Sequence, residues 1–575
     1  MLKYTIRMGT RCTPFGYFAG ISFGEIKKND DTLFLRSHVD KIVFKLDMSI
    51  LLAMVESILK DPIITRNLYY KINPTIYLDG NCYKYYQQIS TEKENQNILK
   101  SVRCTVILDR IFLYLREIDG KATMEMLHSF LKEAGASEEQ SISFIQNLIK
   151  QGIIFSELYP NVTGENYFNR VISILKRVDI ENNYLPTFLD ISNKMKNNKS
   201  VSYINNSILE KLKNELPNKD FNKLIQGDLL IGMEKNIISR TIIKKLEKQF
   251  QKLLVLDSTN SISDLEKFKV AFLSKYNDRV IPLITALDLE LGIGYGNNQS
   301  SYTITDEILK DIKFKISKSQ IEKKPHYYQS VVTEKYIESV KNKSTSICLT
   351  DEDIEIISKL KQTKSEPIPA SFYAIGNMLF DSTKAGCIVF NLSNIGGSSS
   401  GNLLTRFAHL DEKLELSLKK SALKEQELYG DIQLAEISYV SDPKVGNLLQ
   451  RPDIRNISIC LTPLCEDNQK YVDINDLYIF SKDGELFLWS KKFNQIIQPR
   501  LTTAHDFSYS MNVYRFLADF QFQKQRLNIA WDWGILKNEP HLPRVTYKIL
   551  SYLENNGKLL KSQRSQNLNK KKMSL

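Results

Sequence analysis

The chain is poor in the residues on which much enzyme chemistry leans. It holds six histidines (His38, His128, His326, His409, His505 and His541) in 575 residues. None falls into H-E-x-x-H or H-x-x-x-H, so the helical spacing that seats a catalytic zinc is missing. Seven cysteines (Cys12, Cys82, Cys104, Cys348, Cys387, Cys460 and Cys465) are scattered, and none forms a C-x-x-C pair. That usage predicts reduced thiols in a cytosol and no metal site. No Walker A loop is present, and Gly292-Ile293-Gly294-Tyr295-Gly296 falls short of G-x-G-x-x-G. No apolar run reaches membrane-spanning length, and Met1-Leu2-Lys3-Tyr4 leads into no apolar stretch. The expectation is a soluble, cytoplasmic protein.

What is there is ordinary globular material. With 42% hydrophobic and 25% charged residues, the length suffices for several cores or one large lobed assembly. The formal charge is +12, and the stretch from Asn555 to Leu575 supplies half of it through Lys558, Lys561, Arg564, Lys570, Lys571 and Lys572 without one acid. A basic balance permits a phosphate-bearing partner without demanding one. The stretch 555–575 itself reads as a solvated, disordered tail. Residues 309–324, with six lysines, read as a basic loop.

Periodicity gives an α+β class: a large, multi-lobed fold of antiparallel and mixed sheets with helices. Strand formers alternate over 21–45, and Asp47 precedes the helical run Ile50 to Val55 as an N-cap. Residues 63–90 read as a hairpin turning on Asp79-Gly80. Helices follow at 105–117, 123–133 and 138–152, then the strand Ile153-Ile154-Phe155. Strands, three helices and a strand make residues 70–160 a winged-helix-like module, able to offer a strand edge to an extended peptide. An ordinary subdomain fits the same pattern. Further on, 224–231 reads as a strand, 240–254 as a helix, 431–500 as β-rich, and Arg406 falls in the first turns of a helix.

Three stretches bear on chemistry. Arg7 and Arg11 stand four residues apart ahead of Thr13-Pro14-Phe15-Gly16, a sharp corner that would aim two guanidinium groups at an anion. A solvated surface turn fits the same residues. Asp228 lies amid the apolar strand residues 224–231, where a carboxylate needs a cation or a donor. Gly396-Gly397-Ser398-Ser399-Ser400-Gly401 ahead of the Arg406 segment suits an anion at exposed backbone N–H groups. It also spells G-x-S-x-G, the nucleophile elbow of serine hydrolases. No βαβ alternation surrounds it, and polar residues part it from the strand before.

Arg11-Cys12-Thr13-Pro14-Phe15-Gly16-Tyr17-Phe18 resembles the signature R-S-T-P-F-G-x-F of lantibiotic dehydratases of the LanB type, in their N-terminal glutamylation domain. The likeness runs on in family order through Phe44-Lys45-Leu46-Asp47, Leu224 to Leu229, Leu291 to Gly294, Gly401 to Leu410 and Leu542-Pro543-Arg544, across nearly the whole chain. The resemblance implies one glutamylation domain over 1–575 without the elimination domain, with the 70–160 module binding the leader of a precursor peptide. It also implies transfer of an acyl group, usually glutamyl, from aminoacyl-tRNA to Ser or Thr side chains of that peptide. The matching functional positions are Arg7, Arg11, Thr13, Asp47, Asp228 and Arg406. Since the donor ester is already activated, no metal or cofactor is expected, and aminoacyl-tRNA enters as co-substrate.

The expected partners are the precursor peptide (leader and core), aminoacyl-tRNA and a separate elimination-domain protein; a homodimer is left open. The chain starts six residues ahead of its first arginine, short for this family. Two other readings are a stand-alone peptide aminoacyl-tRNA ligase and a non-catalytic peptide-binding scaffold.

Overall fold

The computed structural model describes residues 2–552 except 11–12, 15, 17, 29–32, 37–40, 91–94, 119, 198–200, 217–223, 257–262, 297–325, 362–367, 381–387, 441, 462–469, 509, 524–527 and 530. Arg11, the basic stretch 309–324 and the tail 555–575 therefore lie outside the described residues.

The α+β class holds, with helices and, among the described residues, six sheets. In the strand Lys41–Leu46, Phe44 and Leu46 are buried while Val43 and Lys45 face the other way, the two-residue period of a strand set between two environments. Asp47 ends the strand and caps the helix Met48–Ile58: its Oδ1 accepts from the Ser49 N–H at 2.9 Å and from the Ser49 hydroxyl at 2.5 Å. Residues 63–90 are only partly the expected hairpin. Asp61 accepts from the Ile63 N–H and Pro62 occupies the first turn, so Pro62–Asn67 is a helix, the start that an Asp-Pro pair favours. The hairpin itself pairs Tyr77–Asp79 with Cys82–Ser90 around Gly80 at φ +55°.

Asn95–Arg103 adds a third strand at the edge of that sheet. The helices Val106–Glu117, Met124–Glu133 and Glu138–Lys150 follow, the last opened by a Ser137–Gln140 capping box. The strand Ile154–Ser156 returns to pair with Tyr69–Ile72. This region shares one apolar core with Met48–Ile58, Tyr167–Val178 and Leu185–Asn197.

The later half carries two larger sheets. A seven-stranded mixed sheet runs in space through Ile281–Pro282, Leu477–Lys482, Glu485–Ser490, Gln495–Arg500, Gln433–Ser438, Ile457–Cys460 and Lys470–Asp473, and packs on the helices Asn512–Phe520 and Asp264–Tyr276. A six-stranded sheet is built around Ile388–Gly396 and Tyr373–Phe380. The buried Lys84 ties the hairpin to this half: its Nζ meets Asp79 at 2.7 Å, Glu290 at 2.6 Å and Asp288 at 3.3 Å.

Several expectations need correction. Arg406 lies in the 3₁₀ turn Thr405–Leu410, and the α-helix starts only at Glu412. Ile388–Gly396 runs straight up to the Gly/Ser turn, so no polar spacer parts strand from turn. Cys460 is disulfide-bonded, against the reading of reduced thiols throughout, while Cys82, Cys104 and Cys348 are free. Among the described residues no helix is long and apolar enough to cross a membrane. Nor does any group of three His, Cys, Asp or Glu among them have the makings of a metal site.

Candidate functional site

The strand Ile225–Leu230 pairs antiparallel with Lys41–Leu46, with Gln226 opposite Lys45 and Asp228 opposite Val43. Residues directly opposite share a face, so Lys45 and Asp228 are diagonal neighbours on the face turned away from Phe44 and Leu46. That face meets the turn Thr405–Leu410: Val43, Leu230, Ile21 and Phe23 pack against Phe407, Ala408 and Leu410. The chain after Pro14 joins the same place. Ile21 donates to the Leu229 carbonyl at 2.8 Å and accepts from the Ile231 N–H at 2.7 Å. Gly20 allows this approach, since a Cβ there would stand 2.8 Å from the Leu229 oxygen. Three segments remote in sequence thus converge, each pinned by apolar contacts or backbone pairing.

At the convergence His409 bridges two charges. Its Nε2 lies 3.3 Å from Asp228 Oδ2, and its Nδ1 lies 3.2 Å from Lys45 Nζ. Gln226 also donates to Asp228, at 3.2 Å. Burial alone would raise the Asp228 carboxyl, but the His409 hydrogen bond, the Lys45 charge and the Gln226 amide outweigh it and hold the group below the usual carboxylate range. Desolvation pushes Lys45 down to about 8, with Asp228 pulling the other way and the Arg406 charge lowering it further. His409 is lowered too: desolvation, helped by Lys45, exceeds the upward pull of Asp228. Arg406, half-buried with its guanidinium 4.4 Å from the Phe407 ring centre, is also lowered by desolvation, Asp228 offsetting part of it. The result is a partly desolvated cluster of two cations, one carboxylate and one imidazole.

A buried polar network fixes the loop that delivers Arg406. Asn402 accepts from the Ser399 N–H at 2.8 Å and donates to the Leu501 carbonyl at 3.0 Å, and Thr405 donates to the Thr502 carbonyl at 2.5 Å. The Ser399 hydroxyl donates to Glu425 at 2.7 Å, and Glu425 pairs with the buried Arg455. Arg455 reaches Glu436 at 3.4 Å, which also binds Arg451 and the Thr502 hydroxyl. Ser399 is buried and its hydroxyl is committed to a carboxylate held ionised by a guanidinium. The G-x-S-x-G match is therefore a structural turn whose serine is buried and bonded to a carboxylate, not the exposed, imidazole-bound nucleophile that a hydrolase elbow needs.

The six residues singled out in the sequence fare differently. Asp228 and Arg406 belong to the cluster. Asp47 stands two residues beyond Lys45 with its carboxylate used as a helix cap. Thr13 is exposed, ahead of the segment that pairs with the Asp228 strand; Arg7 is half-buried in the helix Leu2–Thr10; Arg11 lies outside the described residues. Lys45 and His409 were not singled out. Their signal was present as strand alternation from Val43 and as the three-residue spacing from Arg406, but their pairing across the fold is not local.

Residues 1–551 match the family described as lantibiotic dehydratase, N terminus. The chain is 23% identical over 568 residues to the epidermin biosynthesis protein EpiB of Staphylococcus epidermidis, covering 95% of this chain and 54% of that protein. To the subtilin biosynthesis protein SpaB of Bacillus subtilis it is 23% identical over 570 residues, covering 95% and 52%. The chain spans about half the length of these relatives. Among solved structures, the tRNA-dependent lantibiotic dehydratase MibB from Microbispora sp. 107891 has the same fold, with a TM-score of 0.78 at 18% identity over 96% of this chain and 53% of that one. The glutamylation domain of TbtB, from thiomuracin biosynthesis, gives a TM-score of 0.61 at 14% identity, covering 96% and 67%. With a family match over nearly its whole length, the chain belongs to the lantibiotic dehydratase N-terminal family.

Proposed function

We propose that the chain transfers an aminoacyl group, glutamyl in the first instance, from aminoacyl-tRNA to Ser or Thr hydroxyls of a ribosomally made precursor peptide. The observation that carries this is the meeting of Asp228, Arg406, Lys45 and His409 from both halves of the chain in one partly desolvated cluster. The fixed charge of Arg406 there suits the phosphates of an RNA end and the charge that develops on an ester carbonyl. Asp228 holds the cationic side of the cluster in place. The names of MibB and TbtB, which describe tRNA dependence and glutamylation, support the same direction.

The peptide has two features to meet. Asn95–Arg103 is an edge strand of its sheet, as strand addition requires. A cavity of about 1110 Å³ lies between Met48–Ile58 and the module helices, lined by Leu52, Val55, Met124, Ile142, Ile149 and Phe155 among others. The test is incubation of the full chain with glutamyl-tRNA and a Ser/Thr-containing precursor peptide encoded beside it. The expected product is a peptide heavier by one glutamyl residue, labile to mild base as an ester. Peptide binding without any such product, with every aminoacyl-tRNA supplied, would instead favour the scaffold reading.

A further inference from the structure

We propose that Lys45 is the proton acceptor of this transfer step, and that His409 is the positioning residue that aims its amine. The inference rests on the acyl-transfer reading and assigns a role within the same cluster.

With Lys45 protonated and His409 neutral, the state that the lowered His409 favours, the hydrogen bonds take one arrangement. A lysine ammonium can only donate, so His409 Nδ1 at 3.2 Å must accept. The proton of the neutral imidazole then sits on Nε2 and points at Asp228 Oδ2, 3.3 Å away. Asp228 thus selects the tautomer, and the tautomer fixes the lysine. When Lys45 loses its proton, one N–H still reaches Nδ1 and the new lone pair points away from the ring. His409 need not carry a proton itself, which is why it positions and does not relay. Lys45 is half-buried as a residue and its contact with His409 lies at an exposed place, which leaves the amine open to a substrate group.

Among the described residues the charged groups around this amine are few. The strand Ile225–Leu230 contributes Asp228, the turn Thr405–Leu410 contributes Arg406 and His409, and its own strand has Lys41 on the same face. Directly opposite stands Gln226, whose amide is given to Asp228. Desolvation with Arg406 nearby brings the amine to about 8, close to working pH, where a general base is most effective.

The step balances without any further reagent. The acceptor oxygen of Ser or Thr attacks the ester carbonyl carbon and its proton passes to Lys45 Nζ. The bond between the acyl carbon and the ribose oxygen then breaks, and that oxygen takes the proton back from Lys45. Arg406 stays charged throughout and faces the negative charge of the intermediate.

The experiment compares wild type, Lys45→Met, Lys45→Arg and His409→Ala in the full chain by single-turnover glutamyl transfer between pH 6 and 9.5. Peptide and tRNA binding are measured alongside, and circular dichroism confirms folding. Wild-type rate should rise with pH, pass half of its plateau near 8 and level off about one pH unit higher. Both Lys45 variants should lose about 100-fold or more in rate with binding within about threefold, and His409→Ala should lose rate with binding intact. Two results overturn the proposal while leaving the transfer reading standing: Lys45→Met within a few-fold of wild type with the same pH profile, or a loss confined to tRNA binding. A second readout needs no activity. Competitive labelling of Lys45 with acetic anhydride should titrate near 8, and titration at the ordinary lysine value overturns the proposal. Wild type that transfers nothing overturns both readings, and that arm separates the two failures.

Discussion

The pairing of Arg455 with Glu425 offers a measurable test of how the Arg406 loop is held. Both side chains are almost wholly buried, and Glu425 also accepts the hydroxyls of Ser399 in the loop and of Ser371 ahead of the strand Tyr373–Phe380. Replacing Arg455 by Met leaves Glu425 buried without its ion-pair partner and leaves Glu436 with Arg451 and the Thr502 donors. Breaking a buried pair on one side costs about 3–5 kcal/mol, because the remaining charge is uncompensated. Neutralising that charge as well, with Glu425→Gln added, removes the uncompensated carboxylate while keeping an acceptor for the two hydroxyls. The double variant should therefore be more stable than Arg455→Met alone, with a coupling of about 1–3 kcal/mol.

Denaturant unfolding followed by circular dichroism measures each term. The pH dependence supplies a second signature. In the folded wild type, burial raises Glu425 but the Arg455 charge and the hydrogen bonds outweigh it, so its pKa lies below the unfolded value. Its contribution is present above the unfolded pKa and is lost as pH falls through the folded one. In Arg455→Met the carboxyl is buried without the cation, its pKa rises above the unfolded value, and stability should increase as pH falls. Additive single and double variants, or an Arg455→Met variant within about 1 kcal/mol of wild type, would refute the reasoning.

Three further outcomes follow from the same geometry. Asp47→Ala should cost about 1 kcal/mol through loss of the cap on Ser49; a fall in glutamyl transfer much larger than unfolding explains, measured on the same sample, would show that the carboxylate also serves the reaction. Ser399→Ala should cost about 1–2 kcal/mol in denaturant unfolding by leaving Glu425 one donor short, and neither wild type nor variant should take up a fluorophosphonate at this residue. Gly20→Val would place a Cβ 2.7 Å from the Ile231 side chain and 2.8 Å from the Leu229 carbonyl oxygen. It should detach Ile21 from the Asp228 strand, which limited proteolysis of the N-terminal segment would report.

Much of the scaffold was legible because its signals are local. Asp79-Gly80 marks a hairpin, Ser137 opens a capping box and Asp47 caps a helix, each through contacts only a few residues away. The short helix Pro62–Asn67 was hidden under β-forming Ile63, Ile64 and Thr65, with the Asp61 cap and Pro62 deciding the outcome. The turn at Arg406 read as α-helix because a six-residue 3₁₀ segment shows no period of its own. Asp228 was flagged by its burial cost, and the structure supplies the donors that this cost requires. The identity of those donors could not be read from one sequence. Lys45 and His409 are neighbours only through strand register and the packing of Phe407 on Val43 and Leu230.

The helix Met48–Ile58 joins the strand that carries Lys45 to the module cavity. Its start follows the Lys45 strand, and its side from Leu52 to Leu59 walls the module cavity. At about 1.5 Å per residue, Leu59 stands roughly 18 Å along the axis from Asp47, a span that an extended chain crosses in about five or six residues. On the acyl-transfer reading, with a peptide segment held at the far end of the cavity, hydroxyls nearer to that segment than this distance would escape modification.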